Sequence, residues 1–203
     1  MKCEERFVRQ LLPEDARQYA VEVGASDGIT LSNTLWLEND GCDVLCIEPY
    51  RKLFDDLEKN RKRCVRCACS DHTSASEQLL VYDVEGGANR EIATAIEPLE
   101  VRLVMMFAPT AKPRVIERTR VDTLDNLLDE QQFPRVDFVS IDVDGIEMKV
   151  LAGFDIERWN PAVVLIEHLF EDVGMPEWFK ARGYRRAHAQ IDKLNDIYVR
   201  KGL

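Results

Sequence analysis

The residues best able to do chemistry stand just beyond short apolar runs. Glu22-Val23-Gly24-Ala25-Ser26-Asp27-Gly28 closes the first run, Tyr19–Val23. Glycine at such a point lets the backbone turn tightly and lets a ligand come close to it. A phosphate-cradling loop would read Gly-x-Gly-x-x-Gly or end in Gly-Lys-Ser/Thr. This one does neither and carries two acids. Acids there repel a pyrophosphate and suit a ligand bearing an amino group and a sulfonium, such as S-adenosylmethionine; an ordinary acidic turn is the alternative. Glu48-Pro49 closes the second run, Asp43–Ile47. A carboxylate so placed can accept both ribose hydroxyls of a nucleoside, or it can cap a helix opening at Pro49. Ser70-Asp71 follows a third run, where an acid can accept from an adenine amino group or sit in a turn. Asp142 follows the run 136–141, and Glu167-His168 follows 162–166.

The elements that must position these residues are read from periodicity. Between the apolar runs lie segments with helical spacing. Residues 30–38 bring Leu31, Leu35 and Trp36 onto one broad face. Pro49 suits a first helical turn, and Leu53, Phe54 and Leu57 follow it at helical intervals. Helices are also expected over 122–130 (Leu124, Leu127 and Leu128), 146–153 and 176–182. Further strands are expected over 64–69, 78–82, 184–189 and 196–200, the last two close enough to pair antiparallel. Residues 84–120 are poorly patterned: Gly86-Gly87 and the stretch 108–113 mark loops around the apolar run 101–107. Alternating strands and helices predict an α/β fold, a mostly parallel sheet covered on both faces. In such sheets ligands bind beyond the carboxyl ends of the strands, where strand order reverses.

Composition bounds the function. The chain has 203 residues, 45% hydrophobic and 32% charged, with a net charge of −10. That suits one domain with a sizeable core and excludes disordered and collagen-like classes. The longest apolar runs, 103–108 and 162–166, fall short of the roughly 18 residues that span a bilayer. The charged opening MKCEERFVRQ lacks the apolar region of a signal peptide. A soluble, cytoplasmic protein without membrane insertion is expected. Scattered basic residues argue against a nucleic-acid partner, and the cluster Arg61, Lys62, Arg63 and Arg66 reads as cations at a helix C-terminus. Cys64, Cys67, Cys69 and His72 suggest part of a zinc site. Cys64 and Cys67 would face opposite sides of a single strand, so buried thiols are the better reading.

Taken in order, residues 21–28 (VEVGASDG), Ile47-Glu48-Pro49, 121–125 (VDTLD), 139–147 (VSIDVDGIE) and Val150-Leu151-Ala152-Gly153 resemble the successive signatures of FkbM-type methyltransferases. The likeness runs from about residue 21 to 200. Ser26 stands where Asn is common and Asp144 where Glu is common. The resemblance implies a Rossmann-like class I methyltransferase fold dependent on S-adenosylmethionine, with a seven-stranded sheet whose last strand is antiparallel. It also implies O-methylation, often of sugar or polyketide hydroxyls. The whole chain then forms one methyltransferase domain, with residues 1–18 a helical N-terminal segment. Residues 84–121 match no signature and are expected to bind the acceptor.

For that chemistry, Glu22, Gly24, Ala25, Ser26, Asp27, Gly28, Glu48, Pro49, Ser70, Asp71 and Asp142 are the expected cofactor-binding residues. An aliphatic hydroxyl is a poor nucleophile until a base or a metal takes its proton. His168, the histidine at a strand end, is the expected general base, with Asp142 and Glu167 beside it in the catalytic set; a structural histidine is the alternative. No metal site is assigned, although Asp142, Glu167 and His168 would be the ligands of a divalent ion if one acts. Asp142-x-Asp144-Gly145 is not a calcium loop, because its twelfth position is Gly153 rather than Glu. Asp144 and Glu147 fit a helix capping box. Met105, Met106 and Phe107 either line an acceptor pocket or pack in the core. Two other readings stay open, a nicotinamide-dependent oxidoreductase using Glu48 on an NAD ribose and a non-catalytic S-adenosylmethionine-binding protein.

Overall fold

Most of the strands expected from the apolar runs assemble into one main sheet in the computed structural model, which describes residues 3–16, 18–83, 91–95, 112–143, 145–167, 174–191 and 194–202. Numbered along the chain, the strands are β1 (Tyr19–Val23), β2 (Asp43–Ile47), β3 (Arg63–Val65), β4 (Ala68–Cys69), β5 (Ser74–Asp83), β6 (Glu91–Ala95), β7 (Lys112–Asp122), β8 (Phe138–Ile141), β9 (Val163–Glu167), β10 (Tyr184–Ile191) and β11 (Asn195–Arg200). Seven of them form the main sheet in the order β10-β11-β9-β8-β1-β2-β3. β1, β2, β3, β8 and β9 pair in parallel, while β11 runs antiparallel to both β9 and β10. The chain leaves β1 toward β2 and β3 on one side, and β8 and β9 lie on the other. Strand order therefore reverses between β1 and β8.

Alternation along each strand sends side chains to two cores. Val21, Val23, Leu45, Ile47, Val139, Ile141, Val164 and Ile166 pack on one face with residues of the helices Leu124–Glu130, Glu147–Ala152, Ile156–Trp159 and Gly174–Ala181. Ala20, Val44, Cys46, Phe138, Val163 and Leu165 pack on the other with Trp36, Leu37, Phe54 and Leu57. Val8 and Leu12, from the helix Cys3–Leu11 and just past it, join that second core beside Ile197 and Val199 of β11. The N-terminal helix thus lies on a sheet face. Among the described residues no helix is long and apolar enough to cross a membrane.

Several expected boundaries are corrected. The single strand over 64–69 is two strands in two sheets: β3 closes the main sheet and β4 opens a second one, β4-β7-β5-β6. The short strand at 78–82 is the ten-residue β5, and the poorly patterned stretch ends in the long strand β7, antiparallel to β5. The helix over 30–38 shrinks to Leu35–Asn39, because a positive φ of 58° at Leu31 interrupts any helix through it. Pro49 precedes the next helix, Arg51–Asn60, whose N-cap is Tyr50. The short helix Ile156–Trp159, capped by Asp155 accepting from the Arg158 N–H, was not expected from periodicity. The run 101–107, with Met105, Met106 and Phe107, lies outside the described residues.

Candidate active site

The site is built on the register of three strands. Val23 of β1 is level with Ile47 of β2 and with Ile141 of β8. The next residues, Gly24, Glu48 and Asp142, therefore leave the carboxyl edge side by side at the reversal point. Backbone bonds lock them there: Gly24 and Ala25 N–H both donate to the Ile47 carbonyl at 3.0 Å, and the Asp142 N–H donates to the Val23 carbonyl at 3.0 Å. Gly24 has a φ of +83°, and a Cβ there would lie 1.8 Å from the Asp142 carbonyl oxygen. Glycine is required at this position both by conformation and by closeness.

Glu48 is buried, 4% exposed. Its Oε2 accepts from the Ser26 N–H at 3.0 Å and its Oε1 from the Tyr50 N–H at 2.9 Å. A carboxylate offers about four acceptor positions, so room for further donors is left. Burial pushes Glu48 up to about 7, against the two backbone bonds that lower it and with help from the charges of Asp142 and Glu117. Glu147 behaves alike: burial and Asp142 push it up to about 7 despite bonds from the Gly145 N–H at 3.0 Å and the Val143 N–H at 3.3 Å. Glu147 opens its helix directly after Ile146, which forms no side-chain cap. That corrects the capping-box expectation, since Gly145, at a φ of +108°, leaves helical geometry just before it. Asp144 is outside the described residues.

The loop from Gly24 to Thr34 is held rigidly. Asp27 accepts from the N–H groups of Ile29 and Thr30 and from the Thr30 hydroxyl. Its burial is outweighed by these bonds, which keep the carboxyl below its usual range. Glu22 sits under the loop, accepting from the Ser32 and Thr34 hydroxyls, the Asn33 N–H and Arg61. Three of the four donors meet Oε2 and one meets Oε1. Arg61, which braces this loop, is the residue that charge-cluster reasoning misread. It is no helix-end cation in water; it is buried, bonding Glu22, Glu38, Ser32, Thr34 and the Gly28 carbonyl. Its neighbours do serve the surface, Arg63 with Asp43 and Arg66 with Glu117.

Ser70 follows β4, buried, its N–H on the Asp122 carbonyl and its hydroxyl on Asp71. Gly153 is needed here, because a Cβ on it would come within 2.2 Å of the Ser70 carbonyl oxygen. Asp71 is exposed and bonded to His72, which lowers its pKa; His72 also bonds Glu77, and both partners raise the imidazole. Burial pushes the Cys64 thiol up to about 11 and Cys67 to about 12, so both stay protonated at neutral pH. Glu167, buried at the end of β9, is paired in register with Asn195 of β11. His168 lies outside the described residues. Among the described residues no group of three or more His, Cys, Asp or Glu side chains is arranged to hold a metal ion. A groove of about 460 Å³ bordered by Asp125, Phe154, Trp178 and Arg182 contains none of the expected site residues.

Comparison with known proteins decides the family. The model of the methyltransferase FkbM domain matches residues 22–186. The chain belongs to the FkbM methyltransferase family. One solved structure with a similar fold is a TehB-like SAM-dependent methyltransferase from Corynebacterium glutamicum ATCC 13032 Kitasato. It aligns with a TM-score of 0.50 at 13% identity, over 99% of this chain and 89% of that one. No protein among those with curated function matches the sequence. The Rossmann-like arrangement of this FkbM methyltransferase agrees with that neighbour, and family membership implies S-adenosylmethionine as cofactor.

The residues present fit such a cofactor. The Gly24 turn packs directly against the Asp142 backbone, so the two strand ends stand next to each other. Glu48 offers acceptor positions suited to hydroxyl donors, and Asp142 adds negative charge beside it, as its effect on Glu48 shows.

Proposed function

We propose that this FkbM methyltransferase methylates a hydroxyl group of a small molecule or glycan in the cytoplasm. The observation carrying the reading is the side-by-side exit of Gly24, Glu48 and Asp142 at the point of strand reversal. S-adenosylmethionine supplies an electrophilic methyl group when bound. The chain's own residues would do the rest. The Gly24-Ala25-Ser26-Asp27-Gly28 loop lies along the cofactor, kept in shape from below by Glu22. Glu48, with Pro49 setting its turn, accepts from the ribose hydroxyls. Ser70 and Asp71 face the adenine, and Asp142 borders both cofactor and acceptor. His168 takes the acceptor hydroxyl proton, with Glu167 before it in the chain, and residues 84–121 contact the acceptor. Holding the acceptor oxygen in line and excluding water supplies roughly 7–11 kcal/mol of the barrier reduction. A positioned base contributes typically 10²–10⁴-fold.

Thermal unfolding tests the cofactor first, with S-adenosylmethionine, S-adenosylhomocysteine or NAD added to wild type and Glu48→Ala. A ligand at about 100 times its Kd adds about 2.7 kcal/mol of stability. The midpoint rises by a few degrees with the first two ligands and not with NAD, and the shift is lost in the variant. A rise with NAD alone overturns the reading. Once a hydroxyl acceptor turns over, His168→Ala is expected to lower kcat at least 100-fold at neutral pH; near-normal turnover removes the base. Activity lost in EDTA and restored by Mg²⁺ assigns the proton to a metal-bound acceptor instead.

A further inference from the structure

Glu117 stands in the stretch expected to serve the acceptor, yet its side chain reaches the turn that carries Glu48. We infer that Glu117, supplied by β7 of the second sheet, is a positioning residue that holds Glu48 in the geometry needed to bind the cofactor's ribose. The inference rests on the reading of Glu48 as the ribose acceptor.

The contacts form a ring around Glu48. Its backbone N–H donates to the Val65 carbonyl at the end of β3. Arg66, the next residue, donates from Nη1 to Glu117 Oε2 at 3.3 Å. Glu117 Oε1 accepts from the Arg51 N–H at 2.6 Å. Arg51 follows Tyr50, whose N–H returns to Glu48 Oε1 at 2.9 Å. The helix Arg51–Asn60 needs this acceptor, because its N-cap residue Tyr50 makes no side-chain cap bond. Helix starts leave N–H groups unpaired unless a side chain accepts from them. Here the accepting side chain comes from another sheet, 66 residues along the chain. Without Glu117 the Arg51 N–H loses its acceptor, leaving the Tyr50-Arg51 peptide tied through its carbonyl to the Phe54 N–H at 2.8 Å. The turn that carries the preceding N–H, that of Tyr50 on Glu48, is then braced less firmly.

A carboxylate in this role also repels Glu48, adding to burial in raising it. Gln at position 117 keeps an oxygen for the Arg51 N–H and lacks the charge, so it separates positioning from electrostatics.

The test is isothermal titration of S-adenosylhomocysteine into wild type, Glu48→Gln, Glu117→Ala and Glu117→Gln, each first shown to unfold cooperatively. If the unbraced turn holds Glu48 in the binding geometry only about a fifth of the time, Glu117→Ala should weaken Kd about fivefold. Glu117→Gln should stay within about twofold of wild type at pH 8. By NMR, Arg51 amide exchange should quicken in the Ala variant and not in the Gln variant. If Ala does not fold, Glu117→Asp, one methylene short of Arg51, takes its place with the same expectation. Wild-type affinity in Glu117→Ala, or failure of Gln to restore affinity, overturns the inference while Glu48→Gln still shows a loss. Wild-type affinity in Glu48→Gln overturns the ribose reading and the inference with it.

Discussion

Burial sets the protonation of single side chains in this site, and Glu48 shows how. Its ordinary value is 4.5, and the fold raises it to about 7. A raised acid favours the folded apo-protein in its neutral form. The associated stability is present below about pH 4.5 and lost as pH climbs through about 7. Cofactor binding works in the opposite direction, because ribose hydroxyls donate to the ionised carboxylate. Affinity for S-adenosylhomocysteine should therefore rise up to about tenfold per pH unit as pH approaches 7, then level off. Glu48→Gln should flatten that profile, and titrations from pH 5.5 to 8.5 measure it; a slope unchanged in the variant assigns the dependence elsewhere. Glu147, also raised to about 7, belongs to the fold in this reading. Glu147→Gln should reduce the fall in apo-protein melting temperature between pH 5 and 8 while leaving the binding slope in place.

Among the elements, the loop from Gly24 to Thr34 replaces what periodicity suggested was a longer helix. Its shape comes from Arg61, whose guanidinium bonds Glu22 and Glu38 at 3.1 and 2.9 Å and also holds the Gly28 carbonyl. All three charged side chains are buried. Removing one member of such a set leaves uncompensated buried charge, at about 3–5 kcal/mol. Arg61→Ala should lower the unfolding free energy in urea by that amount. Adding Glu22→Gln and Glu38→Gln should recover a large part of it. A loss under about 1 kcal/mol in the single variant would mean that water enters and solvates the two acids.

For the whole molecule, β1, β8 and β9 are covered on both faces, and Val21, Val139 and Val164 are completely inaccessible. Their amides should exchange only through global unfolding, at rates set by the full stability. The hairpin β5–β6 joins only the second sheet and should exchange faster. Hydrogen exchange read by mass spectrometry compares the two directly; equal protection would make both sheets one cooperative unit.

Much of the site was legible because its signals are local. An apolar run followed by Gly24, another followed by Glu48 and a third followed by Asp142 each depend on a few neighbouring residues. A parallel sheet necessarily carries such strand ends to one edge, and the antiparallel pairing of β10 with β11 was visible in the closeness of two late runs. Local pattern fails wherever the partner is distant in the chain. Arg61 reads as a surface cation until Glu22, 39 residues earlier, meets it in the interior. Glu117 reads as an unremarkable acid in a featureless stretch until β7 carries it to Arg51. The division of 64–69 between two sheets is of the same kind, since β4 exists only through its pairing with β7. The sequence by itself determined the alternating architecture and the acids at the strand ends, since periodicity and turn chemistry are properties of neighbouring residues, and its signature blocks carried the resemblance to the family. Which charges are buried and which sheet braces the Glu48 turn were decided only by tertiary structure, because desolvation and long-range pairing do not exist until the chain has closed on itself.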